Sequence, residues 1–89
     1  MYNLQFTGKA IEDLQQLESG IADRIMNKLK FFVEQKNPIL FAKKLINRNI
    51  GQYRFRIGDY RAIFDIDHGG VIKILLILRV KHRKDIYCE

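Results

Sequence analysis

The sequence predicts an α+β fold in which an N-terminal helical hairpin packs on one face of a small antiparallel β-sheet. Three observations predict it. Two stretches with apolar residues at helical spacing, Ile11, Leu14, Leu17 and then Ile21, Ile25, Leu29, Phe32, follow one another with only Ser19-Gly20 as a break. Around Gly58-Asp59, apolar and charged residues alternate from Tyr53 to Ile57, and a second aromatic and β-branched run extends to Ile66, the pattern of a hairpin with a two-residue loop. Val71 to Val80 is apolar on both faces for most of its length, which suits the centre of a sheet.

Each element follows from local chemistry. Tyr2 to Phe6 alternates and reads as a first strand, and Thr7 is placed to cap a helix over 8–18. A longer helix runs from about Ile21 to Gln35 and stops at Asn37-Pro38, because a residue before proline avoids the helical region. Neither helix can bury its apolar stripe alone, so both need the sheet. Residues 39–50 read as a helical turn or two at the rim, with Lys43, Lys44 and Arg48 in solvent. Gly-X loops favour a type II′ turn, which pairs Ile57 with Tyr60, Arg56 with Arg61 and Arg54 with Ile63. Tyr53, Phe55, Ile57, Tyr60, Ala62, Phe64 and Ile66 then share one face, and Arg54, Arg56 and Arg61 take the other. In the last strand Ile72, Ile74, Leu76, Leu78 and Val80 share a side. Lys73 and Arg79 share the opposite one, which Lys81 and Arg83 extend if the strand stays straight.

The 89 residues form one domain, 1–89, and a single cysteine excludes a disulfide framework. With no signal peptide and no apolar run near 20 residues, the expected location is cytoplasmic and no membrane is engaged. Sixteen Lys and Arg stand against ten Asp and Glu, a net charge of +6. The positive charge gathers in two clusters, Arg54, Arg56, Arg61 and Arg79, Lys81, Arg83, Lys84. A polyanion is the partner this pattern suits, with nucleic acid ahead of membrane. Arg56 opposite Arg61 is a like-charged cross-strand pair, which weakens a sheet where an opposite pair would add roughly 0.2–1 kcal/mol. Folding alone gives no reason for it.

The run Arg79-Val80-Lys81-His82-Arg83-Lys84-Asp85-Ile86-Tyr87, together with Gln52 to Phe64, resembles the RelE/ParE superfamily of toxins from type II toxin–antitoxin systems, over essentially the whole chain. The resemblance implies the RelE-like fold, a cognate small acidic antitoxin, and contact with operator DNA only through the antitoxin complex. It is closer to the RelE-like branch, whose members cut messenger RNA on the ribosome. ParE-like members instead poison DNA gyrase without cutting anything themselves, and a non-catalytic nucleic-acid-binding regulator needs only the charge.

Cleavage without a metal needs the 2′-OH to attack the neighbouring phosphate, a base to take its proton and positive charge to stabilise the phosphorane. The catalytic candidates are Arg54, Arg56, Arg61, His82, Arg83 and Tyr87, and the RNA-binding candidates are Lys73, Arg79, Lys81 and Lys84. Arg61 and Arg83 match RelE-like basic residues near the scissile phosphate, and Tyr87 matches a tyrosine implicated there in stacking or proton transfer. RelE-like enzymes often carry lysines where this chain has Arg54 and Arg56, and arginine does not serve as a base. His82 is of the residue type that titrates near neutrality. Its neighbour in the strand period, Val80, is core-facing, so a packing role stands beside a catalytic one. No metal site and no cofactor is expected.

Overall fold

The computed structural model describes residues 2–47 and 49–86. Strand β1 (Asn3–Phe6) leads into helices α1 (Gly8–Gln15) and α2 (Ser19–Glu34). A 3-10 turn, Pro38–Phe41, precedes strands β2 (Ala42–Lys44), β3 (Tyr53–Ile57), β4 (Tyr60–Asp67) and β5 (Ile74–His82). The five strands form one sheet in the order β1-β5-β4-β3-β2. Pairing is antiparallel from β2 to β5, while β1 joins β5 in parallel. The predicted α+β architecture is therefore present, with a mixed sheet.

Thr7 caps α1: its Oγ1 accepts the N–H of Ala10 at 3.1 Å and donates to the carbonyl of Leu78 at 2.9 Å. The interhelical break falls at Gln16–Glu18 rather than at Ser19-Gly20, which begin α2. Both helices cover one face of the sheet. There Phe55 lies stacked between Phe32 and Phe64, with ring centroids 4.3 and 4.2 Å away, and Ile25, Leu29, Ala62, Leu75 and Ile77 complete the buried core.

The hairpin registers as its alternation predicts, Ile57 with Tyr60, Arg56 with Arg61 and Arg54 with Ile63. Gly58 has φ +59° and Asp59 a negative φ, the signs a type II′ turn requires. Residues 39–50 depart from expectation. Among the described residues of this range, which leave out Arg48, only the 3-10 turn is helical, and Ala42–Lys44 pairs with Tyr53–Phe55 as an edge strand. Three residues with two lysines are too short to show a strand period, and charge on an edge strand discourages further pairing.

The second departure is in β5. Ile63 pairs with Arg79 but Phe64 with Ile77, so Leu78 is an extra residue, a β-bulge. The bulge reverses the alternation. Leu75, Ile77 and Val80 all enter the helix-side core, whereas Leu78 joins Leu45, Ile50, Ile63 and Ile86 in a small apolar cluster on the other face. Val80 thus does not share a side with Leu78, contrary to a straight strand. Gly51 has φ +150°, and a Cβ there would run into Cγ2 of Ile63 and come within 3.0 Å of Cδ1 of Leu78.

Candidate functional site

The sheet face away from the helices carries the candidate site. Strand register builds it: Arg56 on β3, Arg61 on β4 and Lys81 on β5 lie directly opposite one another in a single row. Directly opposed side chains start roughly 5 Å apart, so three cations share a row about 10 Å long. Beside it, Lys43, Arg54 and Ile63 form the next row on the same face. Lys43, Lys44 and Arg54, with Leu45, Ile46, Asn47 and Ile50, line a cleft of about 320 Å³. Lys43 and Lys44, read from sequence as solvated, therefore belong to the same basic surface. The signal that could have found them is the β2–β3 pairing, which three residues do not reveal.

Arg61 is the buried member, 7 % exposed. Its Nη1 donates to the carbonyls of Gly58 and Tyr60, both at 2.9 Å, so the turn itself fixes the planar guanidinium. Arg56 is exposed and Arg54 half-buried. Arg83 stands at the rim: its N–H donates to the carbonyl of Asp59 at 2.7 Å, and its Nε lies 3.7 Å from Asp59 Oδ1. The C-terminal turn is thereby tied to the hairpin loop beside Arg61.

Other candidates are placed elsewhere. Arg79 leans across the edge of β5 to α1, where its Nε and Nη2 donate to Asp13 at 2.8 and 3.1 Å. Burial pushes the Asp13 carboxyl up, but the hydrogen bonds from Arg79 and from the Val80 N–H, with the charges of Arg79 and Lys81, together hold it below the ordinary value. Lys73 precedes β5 at the end remote from Lys81, with its Nζ over the Tyr2 ring. Eight residues of strand separate the two by roughly 26 Å, which removes Lys73 from the patch. Lys84 is exposed in the C-terminal turn.

His82 is opposite Tyr60, a core-side residue, and the two rings meet edge to face at 5.3 Å. Its Nδ1 accepts the N–H of Lys84 at 3.2 Å. Its register puts His82 on the helix side of β5 with Val80, away from Arg61, so it sits where the packing role set beside the catalytic one requires and not among the arginines. Tyr87 lies outside the described residues. Asp65 Oδ1 accepts the Gln52 N–H and Asp67 Oδ1 the Gly69 N–H, so each organises a loop. Among the described residues no three His, Cys, Asp or Glu side chains gather as metal ligands would. What the open face offers a ligand is guanidinium and ammonium groups. Their chemistry suits phosphate oxygens.

Known proteins similar to this chain share its fold. A family model described as the ParE toxin of type II toxin–antitoxin system, parDE, matches residues 4–87. Toxin RelG of Mycobacterium tuberculosis is 34% identical over 88 residues, which span 97% of this chain and 95% of the relative. The toxin–antitoxin complex RelBE2 from Mycobacterium tuberculosis superposes with a TM-score of 0.73 at 29% identity, covering 92% of this chain and 98% of that one. The RelB–RelE antitoxin–toxin complex from Methanococcus jannaschii gives 0.68 at 25% identity, covering 93% and 94%. The chain belongs to this family, the RelE/ParE superfamily of toxins from type II toxin–antitoxin systems.

Proposed function

We propose that the chain is a ribosome-dependent endoribonuclease that inhibits translation by cutting messenger RNA. The observation that carries the reading is the Arg56, Arg61, Lys81 row, reinforced by Arg54 and Lys43 in the row beside it. In the proposed reaction the 2′-oxygen bonds to the adjacent phosphorus as its proton passes to water, the bond from phosphorus to the 5′-oxygen breaks, and that oxygen takes a proton from water. A 2′,3′-cyclic phosphate and a 5′-hydroxyl result. Charge builds on the phosphoryl oxygens between these events, and preorganised cations lower the barrier by meeting it there. Arg61 supplies a guanidinium already fixed by the turn, Arg56, Arg54 and Lys81 surround it, and Arg83 stands at the rim. The reaction needs no metal because these groups supply the positive charge. RelE-type names among the similar proteins support the same reading.

The ParE name of the matching family model favours a second reading, a gyrase inhibitor that uses the basic face to hold the enzyme or its DNA. One preparation separates the two. Cleavage of mRNA on translating ribosomes, leaving a 2′,3′-cyclic phosphate and slowed about 10²-fold by Arg61→Ala, is the expected result. Intact mRNA with inhibited gyrase supercoiling overturns it. The partner proposed for the free toxin is a small acidic antitoxin. Operator recognition then belongs to the antitoxin.

A further inference from the structure

The bulge at Leu78 decides which β5 side chains reach the open face. If β5 continued straight from Ile77, Arg79 and Lys81 would follow that residue into the core, and Val80 and His82 would face outward. The extra residue sends Val80 inward and sets Lys81 opposite Arg61.

Hydrogen bonding along the outer edge of β5 holds this arrangement. Strand β1 ends at Phe6, opposite Ile77, so beyond that point β5 has no strand on its outer side. Thr7 takes over first, donating its N–H to the carbonyl of Ile77 at 3.0 Å and its Oγ1 to that of Leu78 at 2.9 Å. Asp13 follows. Its Oδ2 accepts the Val80 N–H at 3.0 Å and Arg79 Nε at 2.8 Å, while Oδ1 accepts Arg79 Nη2 at 3.1 Å. One carboxylate therefore grips the residue after the bulged Leu78 by its side chain and the next residue by its backbone. Lys81 is the residue that comes next.

We propose that Asp13 is a positioning residue for the cationic row: from α1, with no contact to the row's arginines required, it fixes the bulge that brings Lys81 opposite Arg61. Two consequences follow for the site. Arg79 is committed to Asp13 and serves as a tether for β5 rather than as a contact to RNA. Lys81 enters the row in a fixed register, so the disposition of positive charge along the row depends on an acidic residue in a helix on the other side of the strand.

This inference rests on the nuclease reading for its kinetic readout, so the test measures two quantities. Wild type, Asp13→Ala, Lys81→Ala and the double variant are compared by single-turnover cleavage on saturating ribosome complex and by affinity for a short single-stranded RNA. Asp13→Ala is expected to lower either quantity by roughly tenfold, a coupling ordinary for residues in one hydrogen-bonded network, and to add less than about twofold once Lys81 is already alanine. Asp13→Asn, which keeps an oxygen acceptor for Val80 and Arg79, should recover most of the loss. Losses that multiply in the double variant, in whichever quantity the wild type displays, overturn the proposal by making Asp13 a support of the fold in general. If Asp13→Ala does not fold, Asp13→Glu enters the same cycle, since its longer arm displaces the grip without deleting the acceptor, and the same two outcomes decide. A wild type that binds RNA without cutting it overturns the nuclease reading alone, because the affinity cycle still decides the role of Asp13. One that does neither overturns both.

Discussion

Arg61 is held at its own loop by the carbonyls of Gly58 and Tyr60 before any phosphate arrives. A guanidinium fixed in advance loses less freedom when it meets an anion than one on a mobile arm, so under the proposed function the turn bonds would serve binding as well as folding. His82 occupies the contrasting position, with its ring against Tyr60 and its Nδ1 holding the Lys84 N–H. Its work is to shape the C-terminal turn. His82→Gln is therefore expected to keep the wild-type pH profile of single-turnover cleavage and to lower the thermal midpoint instead. A limb of the pH profile that is present in the wild type and absent in the variant would return His82 to the chemistry.

Among the elements, α1 and β5 are joined by a partly buried ion pair, with side-chain exposures of 13% for Asp13 and 31% for Arg79. The Asp13 carboxyl is held below its ordinary value in the folded chain. The unfolded chain therefore binds the proton more readily, and the stabilisation is fully present above the unfolded value of about 3.9 and is lost as pH falls from there through the lowered folded value. Thermal unfolding followed from pH 6 to pH 3 should show a steeper acid loss for wild type than for Asp13→Asn. Parallel curves would mean that the pair adds nothing.

How much of these elements is legible in the sequence follows from their periods. The β3–β4 hairpin is, because seven alternating apolar residues admit only one register that buries them together. Strand β2 is not, since Ala42-Lys43-Lys44 has no alternation to read. The β5 bulge is marked only indirectly, by Arg79 and Lys81 standing where a straight strand would bury charge. Its acceptor, Asp13, lies 67 residues from Val80, and no local pattern connects them. That same omission grouped Val80 with Leu78 instead of with Leu75 and Ile77, and it separated the observed row from the expected patch: Lys81 stands opposite Arg61, while Arg79 pairs with Asp13 and Lys73 lies at the far end of the strand.

The molecule as a whole carries +6 while exposing large apolar side chains, among them Phe31, Leu40, Phe41, Val71 and Ile72. Among the described residues no helix is long and apolar enough to cross a membrane, and exposed apolar groups on such a surface suit a protein partner. An acidic antitoxin that covers both kinds of surface should associate at a rate falling about tenfold or more between 50 mM and 500 mM salt, since steering by charge is screened. Dissociation should change much less, because buried apolar contacts are not screened. Stopped-flow association and dissociation with the cognate antitoxin measure both, and a salt-independent association rate would place the contact away from the basic face.

The parallel pairing of β1 with β5 also imposes an order in time. Residues 3–6 are made well before their partners, 74–77. At about 5–20 residues per second, the first strand waits roughly 4–14 s for its neighbour. During that interval β5 has not arrived to contribute Lys81 to the row, and Thr7 and Asp13 have no strand edge to bind. A nascent chain thus lacks the complete Arg56, Arg61, Lys81 row until β5 is made.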